Sequence, residues 1–229
     1  MSHDVQQDAQ PSHVEARARR KLPRSLILFV VAAIGTIAFI AIALRVVEGH
    51  ADAFDRRWAL AIHDHDTDWL DVIMIGFTTI GAAPCLYTSI AFVSLLAVRR
   101  RLWPLSVILL ANALLALLTN ALLKLWFVRA RPTLFDEITR PETFSFPSGH
   151  AMSAMAVYGA IGAILIGLHP RKRWLIVAAC TFVIAGVGLS RIYLGVHWPL
   201  DVLAGYAASL PFVVVTVHLV HSMLQRHRT

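Results

Sequence analysis

The sequence predicts an all-α integral-membrane protein, a bundle of six transmembrane helices. Three observations carry that prediction: the composition, the ladder of apolar runs, and the charges set between them. Of 229 residues, 57% are hydrophobic and 15% charged, and the mean hydropathy is +0.64. Soluble domains carry about 25% charged residues. A formal charge of +7 raises the question of a polyanionic partner. The basic residues stand in short clusters between apolar runs and form no continuous polar face, which argues against nucleic acid and for membrane topology. Cys85 and Cys180 lie inside apolar runs, so neither a disulfide framework nor a CxxC metal site is indicated.

Residues 1–24 are polar, lack apolar periodicity and read as a disordered cytoplasmic tail ahead of one membrane domain at 25–229. Ala51-Asp52-Ala53 has the small-x-small pattern of a cleavage site, but the polar lead and the apolar run are both too long for a signal peptide. A bilayer core takes about 20 apolar residues per helix. Runs of that kind lie at 25–45, 72–98, 102–123, 150–168, 174–189 and 199–221. In the second, Gly76, Gly81 and Pro84 predict a kink or an interfacial start. The fifth is short and is extended by 190–194. Small residues such as Gly159, Gly162, Gly186 and Gly188 allow helices to approach closely.

Orientation follows from charges that took no part in finding the spans, because Lys and Arg accumulate in cytoplasmic loops. Arg17, Arg19, Arg20, Lys21 and Arg24 precede the first span, and Arg99–Arg101 separate the second from the third. Arg171, Lys172 and Arg173 separate the fourth from the fifth; Arg226 and Arg228 follow the sixth. Six spans put all four clusters on one side. Both termini are therefore expected in the cytoplasm, with the acidic segment 46–71 and the segments 124–149 and 190–198 outside.

Three stretches in those last two segments and at the span ends beside them hold the chemistry: Lys124-Leu-Trp-Phe-Val-Arg-Ala-Arg131-Pro132, Phe146-Pro147-Ser148-Gly149-His150, and Ser190-Arg191 followed by His197-Trp-Pro-Leu-Asp201. Each lies at a span boundary, so a bundle gathers all three at its outer rim. Phosphoryl transfer needs an in-line nucleophile, a proton for the leaving oxygen and donors for three charged equatorial oxygens. Arg131 and Arg191 supply bidentate donors and Lys124 a point charge. Ser148 and the N–H groups of Gly149 and His150 open a helix, a natural phosphate site. His197 and Asp201 are four residues apart and share a face if the helix of span six reaches back that far. Asp201 would then hold Nδ1–H and aim Nε2 at phosphorus for a phosphohistidine intermediate. His150 remains to protonate the leaving group and later to deprotonate water.

These residues resemble the motifs of the type 2 phosphatidic acid phosphatase (PAP2) superfamily: K-x6-R-P, P-S-G-H and S-R-x5-H-x3-D. Lys124, Arg131 and Pro132 fit the first, Pro147 to His150 the second, and Ser190, Arg191, His197 and Asp201 the third. The resemblance implies a PAP2/haloperoxidase-like six-helix membrane fold. It also implies phosphate binding by the first set, acid/base work by His150, attack by His197, and no metal or other cofactor. The expected function is hydrolysis of a lipid phosphate or pyrophosphate at the extracytoplasmic face of a bacterial inner membrane. Undecaprenyl pyrophosphate, phosphatidylglycerophosphate, phosphatidic acid and lipid A phosphates are the substrate candidates, with the polyprenyl pyrophosphate favoured. A lipid phosphotransferase using the same site and a non-catalytic lipid-phosphate transporter are the rivals.

Other polar residues carry weaker signals. Asp64-His-Asp-Thr-Asp68 starts like a calcium loop, but Trp69 and Ile75 stand where glycine and glutamate belong. That segment, with Trp58 and Trp69, fits the membrane interface better. Arg129 and Arg140 match no motif and are read either as widening a basic funnel or as solvated.

Overall fold

The structure, a computed structural model, describes residues 22–65, 67–134 and 143–227. Among the described residues eight α-helices follow in order: α1 (Arg24–Val47), α2 (Asp52–His63), α3 (Asp68–Ile80), α4 (Ala83–Arg99), α5 (Trp103–Phe127), α6 (Gly149–Leu168), α7 (Arg173–Tyr193) and α8 (Pro199–Arg226). Five are long and apolar enough to cross a bilayer, and α3 with α4 makes a sixth span bent by 53°. The bend falls at Gly81-Ala82, with Pro84 in the first turn of α4 where its missing N–H costs nothing. The kink anticipated at Gly81 and Pro84 is thus present, and α7 does run on through 190–193.

Helix α6 is the centre of the bundle, flanked by α5, α7 and α8, while α1 packs on α8 and α4 on α5. Its inner faces are alanine-rich: Ala151, Ala154, Ala156 and Ala160 are fully buried. Small side chains let α8 come so near that a Cβ on Gly205 would lie 2.8 Å from the Ser148 carbonyl oxygen and 3.1 Å from the Met152 nitrogen. Larger apolar residues fill the half of the bundle away from the motifs, where Leu105, Leu109, Val157, Ile161 and Ile164 form the largest core cluster. Many others face outward, among them Phe92, Leu114, Leu118, Phe182 and Val215. So wide an apolar exterior is suited to lipid and not to water.

The alternation of helices puts Arg24, Arg99–Arg101, Arg171–Arg173 and Arg226 at one end of the bundle. At the other end lie the C-termini of α5 and α7 and the N-termini of α6 and α8. The segment 46–71, expected as a loop, contains a helix of its own. Helix α2 buries Asp55 and Ala59, with Ala51 buried at its N-cap, and exposes Trp58 at 49%. That pattern, together with an exposed Trp69, fits a helix lying along the interface.

Candidate active site

All eight predicted site residues gather at the motif-bearing end of the bundle. Lys124 sits in the last turn of α5, His150 in the first turn of α6, Arg191 in the last turn of α7 and Asp201 in the first turn of α8. Ser148 is the N-cap of α6, followed by Gly149. One detail differs from expectation. His197 is not on the helix of Asp201, because α8 begins only at Pro199. The two meet through the capping turn, in which the Trp198 N–H donates to Asp201 Oδ2 (2.9 Å) and brings that oxygen to 3.4 Å from His197 Nδ1. Proline at the start of α8 cannot supply a cap donor, and Asp201 holds the chain before it instead.

The ring of His197 is 2% exposed and its two nitrogens face different partners. Nε2 lies 3.2 Å from Arg131 Nη1, an obligate donor, so Nε2 carries the lone pair. Nδ1 then carries the proton and points at Asp201. Burial, with the nearby Arg131 and Arg191 guanidinium groups, outweighs Asp201 and pulls the imidazole down to about 4. The ring is neutral at neutral pH, the state a nitrogen nucleophile requires.

A strap at 143–148 ties the surrounding cations in place. Lys124 donates to the Phe144 carbonyl, Arg131 Nε to the Thr143 carbonyl (2.8 Å) and Arg131 Nη2 to Thr143 Oγ1 (3.0 Å). Ser145 donates its hydroxyl to Asp201 Oδ2, and the Ser148 N–H donates to the Asp201 carbonyl (2.9 Å). The strap is anchored by Phe146, fully buried between Phe39 (6.0 Å, stacked) and Phe127 (4.8 Å, edge-on). Arg191 donates to Thr78 of α3. The buried Ser148 hydroxyl has no hydrogen-bond partner among the described residues, an arrangement suited to accepting a ligand oxygen.

Arg129 is neither funnel nor solvated. Its guanidinium, 11% exposed, donates to Asp201 Oδ1 (2.7 Å) and to Asp55 Oδ2 (2.6 Å). Asp55, Ser145 and Thr143 also contact these groups, and none of the three belongs to a motif. Arg140 and Asp66 lie outside the described residues. Among those residues no cluster of three His, Cys, Asp or Glu side chains could hold a metal.

An apolar groove of about 570 Å³ opens between α4, α5 and α6 and ends at Asn120, Gly149 and His150. Leu86, Ile90, Leu114 and Leu117 line its length. An alkyl chain lying there would carry its polar end to His150.

The family model described as the PAP2 superfamily matches residues 101–224. Phosphatidylglycerophosphatase B of Bacillus subtilis is 37% identical over 148 residues, covering 62% of this chain and 71% of its own. An undecaprenyl-diphosphatase of Sulfolobus acidocaldarius is 32% identical over 127 residues, covering 52% and 57%. Among solved structures, a transmembrane PAP2-type phosphatidylglycerolphosphate phosphatase from Bacillus subtilis superposes with a TM-score of 0.74 at 28% identity, over 89% of this chain and 96% of its own. LpxE of Aquifex aeolicus shares the fold, with a TM-score of 0.55 at 24% identity over 72% and 95%.

Proposed function

Since this chain belongs to the PAP2 superfamily, we propose that it is a membrane lipid phosphatase acting through a phosphohistidine on His197. The observation that carries the reading is the split environment of His197: Nδ1 toward the Asp201 carboxylate, Nε2 toward the Arg131 guanidinium. A mere phosphate-binding protein needs no buried carboxylate behind a histidine that already faces the cations.

In the first step the Nε2 lone pair attacks phosphorus, the P–O bond to the lipid breaks, and His150 gives a proton to the departing oxygen. Lys124, Arg131, Arg191 and Ser148 hold the equatorial oxygens, whose charge is what they must stabilise. In the second step water attacks phosphorus, His150 takes its proton, and the P–N bond returns its electron pair to Nε2. Asp201 keeps the imidazolium formed in between. The relatives act, by name, on a phosphatidylglycerophosphate and on undecaprenyl diphosphate; the groove beside His150 suits either kind of apolar chain. The basic clusters at the far end of the bundle support a site on the extracytoplasmic face with both termini inside.

Inorganic phosphate release by the purified protein, across lipid phosphates and pyrophosphates, tests the reading. Labelled substrate should leave an acid-labile phosphoenzyme that His197→Ala abolishes along with turnover. Normal turnover by His197→Ala would sink the mechanism.

A further inference from the structure

We propose that Asp55 and Arg129 are positioning residues of the reaction: they form an ion bridge from the interfacial helix α2 to Asp201, and through Asp201 they hold His197. The inference rests on the phosphatase reading above and adds two residues that its three motifs leave unspecified.

The geometry is closed at every joint. Asp55, 1% exposed, uses one oxygen for the Leu200 N–H (2.8 Å) in the first turn of α8 and the other for Arg129 Nη2 (2.6 Å). Arg129 Nη1 takes Asp201 Oδ1 (2.7 Å), leaving Asp201 Oδ2 for His197, Ser145 and the Trp198 N–H. The Asp201 carboxylate is thus gripped from both sides and cannot rotate away from the imidazole. Arg129 is itself fixed, since its carbonyl accepts the Ser145 N–H (2.8 Å) and its guanidinium lies 5.7 Å from the Trp198 ring. Such an arginine has spent its fork on two carboxylates and is poorly placed to bind substrate phosphate as well.

The bridge also sets charge. One arginine between two buried carboxylates offsets the cost of burying them, and together they hold its own pKa above the ordinary value in spite of burial. By drawing on Asp201 Oδ1 it weakens that carboxylate as an acceptor for the His197 proton. The charged groups around His197 are Asp201 on α8, Arg191 on α7, Arg131 and Arg129 in the segment after α5, Lys124 on α5, His150 on α6 and, behind Arg129, Asp55 on α2.

The test compares Arg129→Gln, Arg129→Lys and Asp55→Asn with the parent protein, full-length in detergent, by kcat, KM and the acid limb of the pH profile for phosphate release. Arg129→Gln should lower kcat roughly 10- to 100-fold with KM little changed, the cost of a slightly misplaced group. With its positive charge gone, Asp201 stabilises the imidazolium better, so the acid limb should move up by about one pH unit. Arg129→Lys keeps the charge but not the fork, so its limb should stay in place while kcat recovers only in part. Asp55→Asn removes a negative charge, so kcat falls while the limb stays or moves down. A rise in KM with unchanged kcat in Arg129→Gln would make Arg129 a phosphate ligand and overturn the proposal. So would wild-type behaviour of Arg129→Gln, an upward shift in Asp55→Asn, or failure of all three variants to fold, which would make the bridge purely structural. None of these outcomes touches the phosphatase reading, which stands or falls with His197→Ala.

Discussion

At the scale of single residues, His197 is held in the neutral form by burial first and by Arg131 and Arg191 next, down to about 4. An ordinary histidine titrates near 6.5. The sign of the linkage follows: between about 6.5 and about 4 the unfolded chain takes up a proton that the folded ring refuses, so this histidine's contribution to stability falls as pH is lowered through that window. Histidine NMR in micelles should therefore show His197 titrating near the lower value, and His197→Gln should flatten the loss of thermal stability over the same range. A ring titrating near 6.5 would contradict the buried, cation-flanked setting. The partner carboxylate gives a second expectation. Asp201→Asn keeps the shape but removes the charge that favours Nδ1–H, and the amide can offer its NH2 to the ring, promoting the wrong tautomer. Turnover should fall on the order of 10²- to 10⁴-fold, with KM for the lipid moved far less.

At the scale of elements, the close crossing of α6 and α8 is what brings Ser148 to Asp201. A Cβ at Gly205 would meet backbone on α6, the Ser148 oxygen at 2.8 Å and the Met152 nitrogen at 3.1 Å, and backbone cannot turn aside as a side chain can. Gly205→Ala should push the helices apart, costing roughly 1–3 kcal/mol as overpacking does, and should lower activity as well as melting temperature. Gly76→Ala is the control, because nothing lies within 4 Å of a Cβ there. It should be neutral or slightly stabilising, since alanine is the better helix former. Thermal unfolding in detergent, read beside phosphate release, compares the two. The spans and the three motifs were legible in the sequence because each has a local signature: a run of apolar residues, a breaker such as Pro84, or polar residues at fixed spacing. The bridge was not. Arg129 and Asp55 are 74 positions apart, and nothing in the residues around either one names the other as partner. Helix α2 was obscured for a related reason, because its few apolar positions pack only once α7 and α8 are in place. The spacing of His197 and Asp201 pointed to a shared face only if the helix reached back that far; it does not, yet the two meet at 3.4 Å. Only the capping turn at Trp198 shows how a residue outside the helix reaches one inside it.

At the scale of the whole molecule, the bundle separates two tasks, with charge collected at one rim and an apolar groove descending from that rim between α4, α5 and α6. A water-soluble phosphatase would need only the first. The groove meets the rim at His150, so an alkyl chain that fills it presents its phosphate beside the group expected to protonate the leaving oxygen. Chain binding and chemistry are then separable by mutation. Ala113 lines the groove within α5, more than two turns before Lys124, and Ala113→Phe would block the chain's path without touching a polar residue of the site. For a long-chain lipid phosphate, kcat/KM should fall about tenfold or more, the scale set by losing burial of two CH2 groups at about 0.8 kcal/mol each. For a short-chain soluble phosphate ester the two proteins should act alike, because that substrate never occupies the blocked stretch. Measuring both substrates on both proteins gives a four-way comparison in which a folding defect lowers all rates together. Equal losses for long and short substrates would remove the groove from the binding of the lipid chain, whereas a loss confined to the long chain ties the helix packing at α4, α5 and α6 to the choice of a lipid.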